Sequence, residues 1–276
     1  MTLNIRKFPA INIKPDTIIL LVGKRGTGKS TLLIDLCYQL RRKVDYVIGM
    51  SPTEDTNNAL GAFIPKSAIY DDYDEEAIIR MMNLQRQMWR AGRGYSAMLV
   101  LDDCCYDKKI LRSKVIREIF MNGRHRHLTF IISAQYVMDL PPDLRTQVDY
   151  VFALRENVMQ NRERMWKQFF GFFKSYKDFA TTMDSCTENF ECMVCDNKSA
   201  KGNTIEDSVY WYKASRDIPK FKMGKKFMWK LHTKYFRETT YELPKIKLGT
   251  FKSKKKKDKS NAITQVVKQD ESGHNL

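Results

Sequence analysis

The sequence predicts an α/β fold built on a mainly parallel, doubly wound central sheet, and three observations carry that reading. Apolar runs recur through the first two-thirds of the chain with helical stretches between them, the pattern of a parallel sheet covered on both faces. Gly23-Lys24-Arg25-Gly26-Thr27-Gly28-Lys29-Ser30 fits G-x-x-x-x-G-K-[ST] and lies between the apolar run Ile18-Ile19-Leu20-Leu21-Val22 and a helical stretch beginning at Thr31. Two later apolar runs end on polar residues, Leu101-Asp102-Asp103 and Ser133-Ala134-Gln135, at the carboxyl edge where ligands bind in such sheets.

Strands are expected over residues 17–22, 46–50, 97–101, 129–133 and 150–154, and apolar recurrence at helical spacing places helices over about 31–42, 75–90 and 112–122. Residues 159–173 read as a further helix, and 191–196 with 209–213 as an antiparallel hairpin across the polar turn 197–203. At 276 residues, with no Pro/Gly/Ser-rich linker in its first two-thirds, the chain reads as a single core with an extension. Residues 1–215 form that core, including the hairpin. Residues 216–249 form a basic aromatic segment packed on it, and 250–276 a disordered Lys-rich tail around Lys252-Ser253-Lys254-Lys255-Lys256-Lys257-Asp258-Lys259. The tail fits an import signal, a DNA-tethering arm or a solubilising segment.

The formal charge of +16 suits a polyanion-binding protein, which gains free energy from each phosphate it neutralises, although solvated lysine faces are also common. No run of 18 apolar residues and no signal pattern is present, so an intracellular protein without a membrane-spanning segment is expected. The six cysteines, Cys37, Cys104, Cys105, Cys186, Cys192 and Cys195, are expected to be reduced. Cys192-x-x-Cys195 lies in a strand-like run with no second ligand pair at metal-site spacing, so no structural metal is expected. His125 and His127 are expected to contact backbone or phosphate.

The motif chemistry is specific. Gly23, Lys24, Arg25, Gly26, Thr27, Gly28, Lys29, Ser30 and Thr31 are the expected nucleotide-binding residues, because glycines let successive backbone N–H groups turn toward a phosphate chain beside a helix N-terminus. Lys29 would reach the β/γ-phosphates of ATP, with Ser30 and Asp102 holding Mg²⁺. Asp103 would orient and deprotonate the attacking water, the alternative being a turn or capping residue. Gln135 would hydrogen-bond a γ-phosphate oxygen and that water. An arginine of Gly123-Arg124-His125-Arg126-His127 could act on a neighbouring subunit's γ-phosphate, the alternative being a solvated basic turn.

In order and spacing, the P-loop, Asp102-Asp103, Gly123-Arg124-His125, Ser133-Ala134-Gln135 and Val209-Tyr210-Trp211-Tyr212-Lys213-Ala214 resemble the genome-packaging ATPases of nucleocytoplasmic large DNA viruses, typified by the poxvirus enzyme. These belong to the FtsK/HerA-type superfamily of P-loop ATPases. The resemblance spans roughly residues 15–240 and implies an ATP-driven double-stranded DNA translocase that packages a viral genome. It further implies a homo-oligomeric ring, hexameric or pentameric, with capsid and nuclease partners, working inside an infected host cell. By the same resemblance Lys29, Asp102, Asp103, Arg124 and Gln135 are catalytic, Arg124 being the trans finger in competition with Arg126. Asp103 stands where many relatives of the wider superfamily carry glutamate. Two alternatives stand beside this reading: a P-loop nucleoside or nucleotide kinase, and a non-motor DNA-binding assembly protein controlled by NTP.

Overall fold

The computed structural model describes residues 3–107, 109–198 and 204–237. Strand β1 (Arg6–Lys7) precedes β2 (Ile18–Val22), and the loop after β2 runs into helix α1 (Lys29–Leu40). Strand β3 (Tyr46–Met50), the single turn α2 (Glu54–Asn57), β4 (Ile69–Tyr70) and α3 (Glu75–Arg90) follow. Helix α3 begins where the sequence predicts because the Asp74 carboxylate accepts the Ala77 N–H at 2.8 Å, with Glu75 and Glu76 in the first turn and Arg90 in the last. Next come β5 (Ala97–Leu101), α4 (Lys114–Asn122) and β6 (Leu128–Ala134). Helix α4 starts later than expected, at the Ser113 cap, because residues 110–112 form a separate 3₁₀ turn. The chain continues through α5 (Pro142–Arg145), β7 (Tyr150–Ala153), α6 (Met159–Phe169), α7 (Tyr176–Cys186), β8 (Glu191–Asp196), α8 (Ile205–Ser208), β9 (Val209–Lys213) and α9 (Lys226–Tyr235).

Among the described residues the strands form one sheet in the order β1-β9-β8-β7-β2-β6-β5-β3-β4. Strand β2 lies between β6 and β7, parallel to both, and β5 joins β6 to β3 in the same sense. The expected hairpin of β8 and β9 is present and extends the sheet antiparallel to β7, with β1 added parallel to β9. Strands β2, β5, β6 and β7 are buried along their whole length, which is why they read as continuous apolar runs. Leu20, Leu99, Phe130 and Ile132 face a core with Ile78, Ile116 and Phe179; Ile19, Leu21, Val100 and Ile131 face another with Leu32, Leu33 and Leu36 of α1. The sheet is therefore covered on both faces.

The helix expected over 159–173 is present as α6 but ends at Phe169, and a second helix, α7, begins at Tyr176 beyond the expected span. Gly171 weakens a helical path by about 1 kcal/mol relative to alanine, and the break after Phe169 lets Phe170, Phe173 and Phe179 meet at 5.4 and 5.8 Å in the core. Ser175 then caps α7, a helix that the sequence pattern does not announce. Strands β1 and β4 are likewise silent in the sequence, since two residues carry no periodicity. After β9, Met223 is fully buried and donates its N–H to the Phe63 carbonyl, while Phe221 stacks on Phe63 at 4.9 Å. The Lys-rich tail, the end of the basic segment from residue 238 and residues 199–203 of the expected turn lie outside the described residues.

All six cysteines are buried free thiols. Cys192 and Cys195 enter opposite cores because residues three apart on a strand point to opposite faces, so the pair cannot share an ion. Among the described residues no helix is long and apolar enough to cross a membrane.

Candidate nucleotide site

The parallel strands bring the ends of β2, β5 and β6 to one edge of the sheet, around a cleft of about 1040 Å³. After β2 the chain turns at Gly23, where an added Cβ would lie 2.8 Å from both Leu154 Cδ1 and Thr27 Oγ1. Gly28, at φ +95°, is the N-cap of α1, so the helix opens directly onto the loop. The Thr27 hydroxyl closes the loop by donating to the Lys24 carbonyl at 2.7 Å. Lys24, Arg25, Gly26, Gly28, Lys29, Ser30 and Thr31 line the cleft with Asp102 and Asp103.

The buried Lys29 ammonium donates to Asp103 Oδ1. Asp103 itself sits at φ +53° and gives its N–H to Ser133 Oγ at 2.9 Å, while the Ser133 hydroxyl donates to Asp102 Oδ1 at 2.6 Å. Ser133 thus ties the two acids to the end of β6. Asp102 is 5 % exposed, and this burial pushes its carboxyl pKa up; the Ser133 hydroxyl opposes the shift and the Asp103 charge adds to it. The nearby Lys29 charge only partly offsets the burial of Asp102, and this carboxylate and Ser30, both lining the cleft, offer hard oxygen donors of the kind Mg²⁺ takes. On the outer wall Lys24 pairs with Glu156 at 2.8 Å. Burial raises the Glu156 pKa, but bonds from Lys24, the Val158 N–H and Asn161 outweigh it and hold the group below its ordinary value.

Asp102→Asn should stabilise the protein in the absence of divalent cations. A carboxyl whose folded pKa is raised contributes stability only below its unfolded pKa and loses it as pH rises through the folded value. At neutral pH the amide therefore relieves a buried charge, and Tm should rise. The gain should shrink as pH falls into the ordinary carboxylate range; a fall in Tm at neutral pH would refute the charge argument.

Two expected residues stand apart from the cleft. Gln135 follows β6 at the same edge, exposed and outside the cleft wall. Arg124 lies in a 3₁₀ turn before β6, at the opposite edge of the sheet, 60 % exposed and 2.5 Å from Asp149. Its competitor Arg126 is only 18 % exposed and engaged by Glu118, so Arg124 is the better placed to reach outward. His127 meets Asp16 at 2.8 Å and stacks on Trp89 at 3.5 Å. His125 is exposed.

The cleft also contains residues that the motifs do not point to: Thr53 and Thr56 beside β3, Asn189 and Phe190 before β8, and Lys213 to Asp217 at and beyond the end of β9. Lys213 and Ala214 belong to the Val209–Ala214 run that carries part of the resemblance, whereas Phe190 has no local signal.

The profile of the family described as Poxvirus A32 protein matches residues 12–217. The uncharacterized protein L437 of Acanthamoeba polyphaga mimivirus is 35 % identical over 233 residues, covering 80 % of each chain. The uncharacterized protein 075L of Invertebrate iridescent virus 6 is 35 % identical over 208 residues, covering 75 % of this chain and 81 % of its own. Among solved structures, the genome packaging NTPase B204 from Sulfolobus turreted icosahedral virus 2 with AMPPCP has a TM-score of 0.54 at 18 % identity, covering 74 % of this chain and 100 % of that one. At that identity the likeness speaks for a shared fold.

Proposed function

The chain belongs to the poxvirus A32 protein family, a family of viral packaging ATPases, and from that premise we propose that it hydrolyses ATP to drive double-stranded DNA into a viral capsid. The carrying observation is the joining of Lys29, Asp103, Ser133 and Asp102 at the mouth of the P-loop. Lys29 and Asp103 form an ion pair in the cleft. A triphosphate competes for Lys29 with its greater negative charge, which releases the Asp103 carboxylate to orient the lytic water and accept its proton. Mg²⁺, held by Ser30 and Asp102, would neutralise charge on the phosphates. Gln135 would sense the γ-phosphate, and Arg124 would complete a neighbour's site in a homo-oligomeric ring of five or six subunits. The motor would act in the infected cell where virions assemble, with capsid and nuclease components as partners.

Helix α9 supports duplex DNA as the cargo. Lys226, Lys230 and Lys234 are exposed at four-residue spacing, and the helix contains no acidic residue. Residues four apart are neighbours on a helix surface, so the three lysines make a positive stripe that duplex phosphates can neutralise. Like charges at this spacing cost a helix about 0.2–0.5 kcal/mol per pair, a cost that a polyanion removes.

ATP hydrolysis measured with and without duplex DNA tests the reading, stimulation with phosphate release being expected. Transfer of phosphate to a nucleoside would establish a kinase instead. Replacing Lys226, Lys230 and Lys234 by glutamine should flatten the log affinity against log salt slope by about 0.9 for each duplex phosphate that is no longer neutralised. An unchanged slope would remove α9 from the DNA interface.

A further inference from the structure

Phe190 is 57 % exposed at the wall of the nucleotide cleft. Asn189 at φ +48° and Phe190 at φ +63° place two successive non-glycine residues in the left-handed region immediately before β8. Asparagine tolerates that conformation, but a bulky aromatic residue does so only under constraint. Burial does not account for the constraint, since more than half of the residue faces solvent. The backbone instead presents the ring to the P-loop: a Cβ on Gly28 would lie 3.5 Å from Phe190 Cδ1. From the segment after β9, the Arg216 guanidinium sits over the ring, 4.9 Å from its centroid, and pairs with no carboxylate among the described residues.

We propose that Phe190 and Arg216 form the nucleobase subsite, the base inserting between the aromatic ring and the guanidinium. A flat base with normal contacts on both faces needs about 7 Å between them, so the exposed Arg216 side chain has to move outward by roughly 2 Å. Both partners offer a planar face, one apolar and one cationic, and both stack on nucleobases. Stacking grows with ring area and reads no hydrogen-bonding edge, so this pair selects purine over pyrimidine nucleoside triphosphates and discriminates poorly between adenine and guanine. The proposal rests on the cleft being a nucleoside triphosphate site.

The experiment measures Mg²⁺-dependent binding of ATP, CTP and inorganic tripolyphosphate to the full chain and its variants. Phe190→Ala should weaken ATP by roughly 5- to 150-fold, leave tripolyphosphate unchanged and abolish the preference for ATP over CTP, whereas Phe190→Trp should preserve that preference. Phe190→Gly guards against misfolding, since glycine is at ease at φ +63°: it should raise Tm while losing ATP affinity as the alanine variant does. Equal losses for ATP and tripolyphosphate, or ATP affinity indifferent to Phe190, would overturn the subsite while leaving the cleft a nucleotide site. Wild-type protein that binds neither ATP nor tripolyphosphate would overturn both.

Discussion

Asp103→Asn is expected to lower ATP hydrolysis by about 10²–10⁴-fold, the range of general-base contributions, while ATP and Mg²⁺ binding persist. The substitution suits the site because Asp103 sits at φ +53°, where asparagine is among the best tolerated residues. Its N–H to Ser133 Oγ is untouched, so the neighbouring Asp102 should keep its position. What changes is the partner of Lys29. An amide cannot form the ion pair that engages this buried ammonium, so a triphosphate would not have to displace it and ATP should bind at least as tightly as to the wild type. Single-turnover hydrolysis together with equilibrium binding separates the two effects. Loss of Mg²⁺-dependent binding would make Asp103 a metal ligand; full turnover would remove it from the chemistry.

Arg124→Ala should lower turnover by roughly 10³–10⁵-fold, as for arginine fingers of other P-loop enzymes, with little loss of ATP affinity. Arg124 is 60 % exposed but its partner Asp149 is buried, so removing the arginine should cost more stability than the ~1 kcal/mol of a fully exposed pair. Asp149, left without the arginine, still accepts the Ile18 N–H at 2.8 Å. Arg124 lies at the sheet edge opposite its own cleft, so an effect on turnover would be exerted on another subunit. Mixing Arg124→Ala with Lys29→Ala subunits should therefore restore part of the activity, and wild-type specific activity should rise with protein concentration until rings form. Failure to complement, with activity per subunit independent of concentration, would refute the trans role. The same behaviour from Arg126→Ala would move the assignment by two residues.

Both experiments concern groups whose chemistry is legible in local sequence but whose relations are not. The P-loop, the acids ending β5 and the amide after β6 can be recognised because each motif is contiguous and its strand is a short apolar run with a polar end. Helix α3 is legible for a similar reason, its cap and charged ends lying within its own span. The break between α6 and α7 is not, because packing Phe170, Phe173 and Phe179 together outweighs the helical pattern across Gly171.

The linear order shows that one chain carries a P-loop motif, two adjacent acids, an amide and a basic turn, since residue type and neighbours suffice to specify such motifs. The pairing of Lys29 with Asp103 across 74 residues arises only when β5 lies two strands from β2, with β6 between them. The Ser133 bridge depends on that strand order. The meeting of Phe190 and Arg216 depends on the β8–β9 hairpin, whose connection brings the two ends of the segment together beside the P-loop. Strand order and hairpin register are settled by burying both sheet faces at once, a balance distributed over residues far apart in sequence and absent from any single motif.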